Sequence, residues 1–206
     1  MRDMGYYFTL SEHMDLALTG GFYTLGSWEV GAASRYIKRY KYSGNLNFKY
    51  ASIRTGDKGD PDFIKQNTYN LQWSHTQDPK ANPGSTFSAS VNLASSGYSK
   101  YSATNLNDML ATQTNSSISY SKNWAGTPFS LSMSMSISQN SQTEAISANL
   151  PNVSFNVSQF FPLKRKVKKG EDRWNERISM SYSAKMTNSI NAKESDIISK
   201  ESLKNM

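Results

Sequence analysis

Between Phe129 and Ser138 apolar and hydroxyl side chains alternate without a break, as Phe-Ser-Leu-Ser-Met-Ser-Met-Ser-Ile-Ser. A β-strand turns successive side chains to opposite faces, so this run predicts a strand with Phe129, Leu131, Met133, Met135 and Ile137 on one face and five serines on the other. A helix cannot sort that pattern. Soluble sheets usually dress their wet side with Lys, Glu and Thr. A face of small neutral hydroxyls opposite an apolar face is what a strand between lipid and a wet interior requires.

The same period recurs at Leu46, Phe48, Tyr50; Tyr69, Leu71, Trp73; Phe87, Ala89, Val91, Leu93; Val153, Phe155, Val157; and Ile178, Met180, Tyr182, Ala184, Met186. Turn residues separate these segments at 11–13, 24–27, 39–41, 55–62, 77–84, 95–111, 122–128, 139–142 and 162–172. The expected fold is all-β: an antiparallel meander of roughly ten strands, forming a curved open sheet that is part of a transmembrane β-barrel. Many segments have the ~9–11 residues that a tilted strand needs to cross a bilayer. Nothing reads as a globular helix, and 195–206 is expected to be a frayed end.

Parity adds one local expectation. Ile146, Ala148 and Leu150 run on even numbers, whereas Val153, Phe155 and Val157 run on odd ones, so the apolar face changes step at Leu150-Pro-Asn152. A bulge or a tight hairpin would each do this. The sequence Leu150-Pro-Asn-Val lacks the Asn-Gly or Asp-Gly pair of a two-residue turn, which favours a bulge inside one strand from about Thr143 to Phe160. With a bulge, the basic turn that follows lies on the same rim as 77–84.

Composition agrees with a polar interior. Hydrophobic residues make up 37% of the 206, and the mean hydropathy of -0.63 is low for a β protein with a full core. No run of about 18 apolar residues is present, a test that does not detect barrel strands. Aromatic residues gather near segment ends, at Tyr6 to Phe8, at Tyr36, Tyr40 and Tyr42, and at Trp124, Phe160, Phe161 and Trp174, as membrane-interface girdles and ordinary β packing both place them. The chain contains no Cys and has a net charge of +7. Lys164, Arg165, Lys166, Lys168 and Lys169 concentrate that charge, either for anionic headgroups or as a solvated loop. Nucleic acid is not expected, because the run lies in a turn rather than in an aromatic-lined groove.

Catalytic chemistry is not expected: no catalytic, cofactor-binding or metal-binding residue is assigned. His13 beside Glu12 and His75 beyond Trp73 stand apart, and without Cys or clustered carboxylates they make a poor metal site. No Gly-x-Ser-x-Gly elbow occurs, and Gly56-Asp-Lys-Gly59 lacks the strand and helix that frame a phosphate loop. The first residues read as strand from the outset, without a signal peptide, so residues 1–206 are expected to be an internal piece of a longer barrel.

The stretch Trp73-Ser-His-Thr-Gln-Asp-Pro-Lys-Ala-Asn-Pro-Gly-Ser-Thr-Phe-Ser-Ala-Ser-Val91 resembles the barrel of the LptD family, the lipopolysaccharide-assembly proteins of the outer membrane, in its Bacteroidetes form. Similar features are Arg39-Tyr-Lys-Tyr-Ser-Gly-Asn-Leu-Asn-Phe-Lys-Tyr50, Pro128-Phe-Ser-Leu-Ser132, Leu150-Pro-Asn-Val-Ser-Phe-Asn-Val-Ser158 and Phe161-Pro-Leu-Lys-Arg-Lys166. The resemblance implies part of the outer-membrane translocon that inserts lipopolysaccharide into the outer leaflet. It also implies the partners: lipopolysaccharide, outer-membrane lipid, an LptE-like lipoprotein and the periplasmic lipopolysaccharide-bridge proteins. The family's periplasmic jellyroll domain has no counterpart in this stretch, and ligand-binding residues are not assigned. Another outer-membrane barrel, a porin or nutrient receptor, and a secreted β-sandwich adhesin are the alternatives.

Solubility separates the barrel readings from the sandwich. The isolated 206-residue chain is expected to aggregate in plain buffer and to partition into detergent; a monodisperse, cooperatively unfolding monomer without detergent would remove the barrel reading.

Overall fold

A computed structural model describes residues 4–57, 59, 61–103, 106–165, 170 and 173–193. The expected fold is present. Eleven strands form one antiparallel sheet in which neighbours in sequence are neighbours in space. They are β1 (Met4–Ser11), β2 (Met14–Phe22), β3 (Trp28–Lys38), β4 (Tyr42–Thr55), β5 (Ile64–Gln77), β6 (Ser85–Ala94), β7 (Gln113–Asn123), β8 (Phe129–Asn140), β9 (Ala145–Phe160), β10 (Met180–Met186) and β11 (Ser189–Lys193). The last two lie end to end along β9, so the order across the sheet ends with them. The sheet is open, with β1 at one edge and β10 and β11 at the other.

Register keeps one chemistry on each face. Leu18, Ala32, Phe48, Leu71 and Leu93 follow one another across β2 to β6, as do Phe87, Tyr120, Met133 and Val153 across β6 to β9. The opposite face runs through Asn47, Gln72 and Asn92, and through Ser88, Ser119, Ser134 and Asn152. No second layer covers the apolar face among the described residues: Val30 is 45% exposed, Phe129 43% and Met133 36%. An apolar face must be buried against something, and a soluble sandwich would bury it against a second sheet. That alternative is therefore removed.

Pro151 sits in a bulge, as its parity predicts. Ser134 pairs with Asn152 and Ser136 with Asn149, so Met135 faces both Leu150 and Pro151. The extra residue restores the face, since Met133 meets Val153 on one side of the bulge and Ile137 meets Ala148 on the other. The bulged strand also interrupts its other neighbour. The register there jumps from Met186↔Val153 to Ser189↔Asn149, and the gap is closed by a 2.9 Å bond from the Leu150 N–H to the Asn188 carbonyl. A proline at the bulge removes a donor that the ladder does not require.

Strand direction then assigns every connection to one of two rims. Rim A carries 12–13, 39–41, 78–84, 124–128 and the connection 161–179; rim B carries 23–27, 56–63, 95–112 and 141–144. Lys164 and Arg165 lie on rim A with 78–84, the side that the bulge assigns; Lys166, Lys168 and Lys169 lie outside the described residues, as does 195–206.

Two expectations need correction. The connection 95–111, expected as a plain loop, contains two short helices, α1 (Tyr98–Tyr101), which packs on β5, and α2 (Leu106–Leu110), which rests against α1 with Leu106, Met109 and Leu110 exposed. Tyr6 and Phe8 pair with Leu18 and Leu16 partway along β1 rather than at a rim, and Tyr7 lies on the polar face, where it donates to Asp15 Oδ2 at 3.1 Å. Aromatic residues have high β-propensity wherever strands form, so clustering in sequence did not specify their height.

The two faces of β8 should respond oppositely to charge. In the assembled barrel, Met133→Lys is expected to lower stability by about 2–4 kcal/mol, while Ser134→Lys next to it changes stability by about 1 kcal/mol or less. Urea unfolding midpoints in lipid or detergent measure both.

Candidate functional site

The polar face is a continuous field of hydroxyl and amide groups that bond across strands. Ser88 meets Ser119 at 2.7 Å, Thr86 meets Ser121 at 2.7 Å, the Gln113 amide donates to Ser138 Oγ at 2.8 Å and the Asn149 amide to Ser136 Oγ at 3.3 Å. Such pairs stabilise the sheet by roughly 0.2–1 kcal/mol each. They also leave each group free to exchange partners with a passing polar chain, since hydroxyls both donate and accept.

Onto this face folds the start of the connection 95–112. The Ser95 N–H donates to the Tyr69 carbonyl at 2.9 Å, and the Tyr69 N–H donates to Ser95 Oγ at 3.1 Å, a reciprocal pair that extends β5 pairing by one residue. Gly97 then passes close to Gln66 and Thr68, and Tyr98 lies down at 6% exposure, lining small cavities with Asn70, Gln72 and Lys49. Ser102 Oγ bonds Thr68 Oγ1, and Thr68 is only 1% exposed. Room for this fold comes from the sheet itself. The β6–β7 ladder stops at Ser90↔Ser117, and beyond it Ser116 replaces the ladder, its hydroxyl accepting from the Asn92 N–H at 2.9 Å and donating to the Asn92 carbonyl at 3.0 Å.

Between the folded segment and β3 and β4 an open cavity of about 510 Å³ remains. Tyr23, Glu29, Lys49, Tyr101 and Ser102 line it, and Tyr23 donates to Glu29. The cavity thus presents one anionic and one cationic side chain beside two phenol rings. The sequence marks 95–111 as a connection but does not say that Tyr98 and Tyr101 turn onto the sheet; Asn105 lies outside the described residues. Two tyrosines in an otherwise serine-rich connection were the available signal.

The apolar face carries an aromatic cluster towards rim A. The Trp73 indole N–H donates to the Tyr36 hydroxyl at 2.9 Å, and that hydroxyl pairs with His75 Nδ1 at 2.9 Å. The rings of Phe87 and Tyr42 lie 5.2 and 5.9 Å from the imidazole. A Cβ on Gly44 would strike the Tyr36 hydroxyl and the Ser74 carbonyl, so only glycine admits this close approach. Rings with one apolar body and one polar tip suit the boundary between lipid tails and headgroups. His75 belongs to this cluster, whereas His13 lies in the 12–13 turn with its N–H on Ser11 Oγ at 3.2 Å. The structure therefore does not bring the two histidines together. Among the described residues no three of His, Cys, Asp and Glu converge. Gly56 and Gly59 lie on rim B in the 56–63 connection, with Gly56 at φ 82° and in reach of the Asp62 carbonyl.

Rim A is held in part by Arg165, whose guanidinium forms an ion pair with the buried Glu176; the Arg173 N–H adds a 3.2 Å bond to the same carboxylate. The Arg165 hydrogen bond holds the Glu176 carboxyl below its ordinary range, against the opposing effect of burial.

These two faces are shared by many outer-membrane barrels and do not by themselves separate them. A family profile described as LptD protein matches residues 1–206. The chain belongs to the LptD family. No curated protein matches it. Membership places the sheet among outer-membrane proteins of lipopolysaccharide transport and assembly, and a porin or nutrient receptor is set aside. On the apolar face the hydroxyls within the strands are few and turned to the backbone, Ser34 donating to the Asp15 carbonyl at 2.7 Å and Ser116 to the Asn92 carbonyl at 3.0 Å, whereas the polar face carries the field of Ser, Asn and Gln and the folded-in segment 95–103.

Removing the ring that seats the segment tests this arrangement. Tyr98→Ala is expected to weaken docking of 95–103 by about 3 kcal/mol, the low end for a buried ring, which is roughly a 100-fold rise in hydrogen exchange at Ser95 and Ser102. Exchange at Asn115 to Lys122 should not change.

Proposed function

We propose that residues 1–206 form part of the barrel through which lipopolysaccharide is inserted into the outer leaflet. The apolar face is the outer, convex face and meets lipid; the polar face lines the route of the hydrophilic part of the cargo. One observation carries the reading: in a LptD-family chain, a single-layer sheet exposes Val30, Phe48, Phe129 and Met133 on one side and presents bonded Ser, Asn and Gln on the other. Apolar side chains without a protein layer to cover them require lipid, and backbone groups in lipid must all be paired, as the ladders here pair them.

The free edges of β1 and of β10 and β11 are where further strands of the protein complete the barrel, since an open edge in hydrocarbon leaves backbone groups unpaired. An LptE-like lipoprotein and the periplasmic bridge proteins are the partners of such a translocon. The work done is transport rather than bond chemistry, consistent with an interior of hydroxyl and amide groups that hold cargo weakly and release it.

Site-specific photo-crosslinking in cells tests the route. A photoreactive residue in place of Ser119 or Asn47 on the polar face is expected to trap lipopolysaccharide, and one in place of the exposed Val30 on the apolar face to trap glycerophospholipid. Absence of lipopolysaccharide at both polar positions, with transport intact, would overturn the assignment.

A further inference from the structure

The positive charge of this chain is not spread evenly over its two rims. Lys38, Arg39, Lys41, Lys80, Lys122 and Lys164 stand on or beside the rim A connections 39–41, 78–84, 124–128 and 161–165, where the described carboxylates are Glu12, Asp78 and Glu176. Glu176 is taken by Arg165, and Asp78 Oδ1 accepts the backbone N–H of Lys80 at 2.9 Å. The Arg165–Glu176 contact is the one ion pair among the described residues, so none of the six cations has a carboxylate partner there. On rim B, by contrast, Arg54, Lys65 and Lys100 stand among the carboxylates of Glu29, Asp57, Asp62 and Glu144.

Three of the four cation-bearing connections of rim A, all but 78–84, also carry a ring beside a cation. The Arg39 guanidinium lies 4.9 Å from the centroid of Tyr40, the Lys122 ammonium 5.3 Å from Trp124, and the Lys164 ammonium 5.3 Å from Phe161. Just inside them on the apolar face is the Tyr36–Trp73–His75 cluster. An unpaired cation above an interfacial ring is arranged for a surface that is apolar below and anionic above, which describes a leaflet of negatively charged lipid.

We propose that rim A is a docking surface for the phosphate headgroups of anionic glycerophospholipids, which fix the height and tilt of the sheet in the membrane. Two features select this occupant over a multiply phosphorylated glycolipid. Lys38, Arg39 and Lys41 share one open cavity of about 510 Å³, but Lys80, Lys122 and Lys164 stand outside it on three further connections, so the cations are spread over several headgroups rather than gathered for one. Rim A also carries the shortest connections, 12–13 and 39–41, and rim B the folded-in 95–112; outer-membrane barrels keep their short turns on the periplasmic side, where the leaflet is glycerophospholipid. The longer 161–179 is the exception on this rim. The inference rests on the membrane placement of the apolar face and not on the identity of the cargo.

The test is lipid retention by the full-length protein, purified in detergent, equilibrated with equimolar phosphatidylglycerol, phosphatidylcholine and lipid A, and read by native mass spectrometry. Phosphatidylglycerol should be retained over phosphatidylcholine and lipid A, and K38Q/R39Q/K41Q should lower that preference at least about fivefold, the effect of one Lys or Arg at an anionic surface. K65Q/K100Q on rim B should leave it unchanged. If the triple variant fails to fold, as judged by heat-modifiable migration, K80Q/K122Q must show the same loss. An undiminished preference in the folded rim A variant overturns the proposal. So does preferential retention of lipid A, or abolition of the preference by excess inorganic phosphate, which would indicate a free-phosphate site. Photo-crosslinking of lipopolysaccharide at Ser119 is independent of all these outcomes, so failure here leaves the transport reading to its own experiment.

Discussion

One sheet, one layer thick, has to satisfy two solvents at once. The backbone ladders pair neighbouring strands along most of their lengths, less so towards rim B where β6 parts from β7 and ends before β5 does, and this pairing is the condition for placing peptide groups in hydrocarbon. With no second layer, each side chain faces either lipid or the wet interior, and composition follows. The buried apolar residues among those described are few, Ala51, Ala89, Ala148, Val157 and the folded-in Tyr98, while Thr68, Asn70, Ser85 and Ser116 are buried and polar. That inversion of an ordinary core accounts for the low mean hydropathy of a chain made almost entirely of strands.

The bulge at Pro151 shows how strictly the two faces are kept. Ser147 and Asn149 line the polar face on one side of it, Asn152 and Ser154 on the other; without one extra residue, half of β9 would turn its serines and asparagines to lipid. The adjustment disrupts pairing on both sides, since Met135 loses its single partner and the facing edge breaks into β10 and β11. A few lost ladder bonds weigh less than a row of amides in hydrocarbon. The bulge, in place of a hairpin, also determines that Lys164 and the Glu176-paired Arg165 emerge on rim A, with Lys38, Arg39, Lys41, Lys80 and Lys122.

The polar face is less uniform than the alternation suggests. Where β6 and β7 part, Ser116 satisfies Asn92 in place of the ladder, and the space above takes the segment that begins with Ser95. Tyr98 and the Thr68–Ser102 bond hold it there. The interior surface therefore has a smooth region of Ser and Asn over β6 to β9 and a filled region over β3 to β5, next to the cavity with Glu29 and Lys49. Cargo moving along this face would meet them as different surfaces.

Strand number, antiparallel order, the identity of the two faces and the bulge were all legible in the sequence, because the period of two is a local property that any residue and its second neighbour display. Phe129 to Ser138 needed no distant partner to declare its faces, and the step at Pro151 could be read as a change of parity. The placement of 95–103 could not be read, since its contacts with Thr68 and Tyr69 lie far away in sequence and depend on where β6 and β7 separate. Nor could the Tyr36–Trp73–His75 cluster, which exists only because register aligns β3, β4 and β5 and Gly44 leaves room between them. Alternation specifies which way a side chain points; which side chains meet, and on which rim a charge emerges, is decided by register, and register is a property of the assembled sheet.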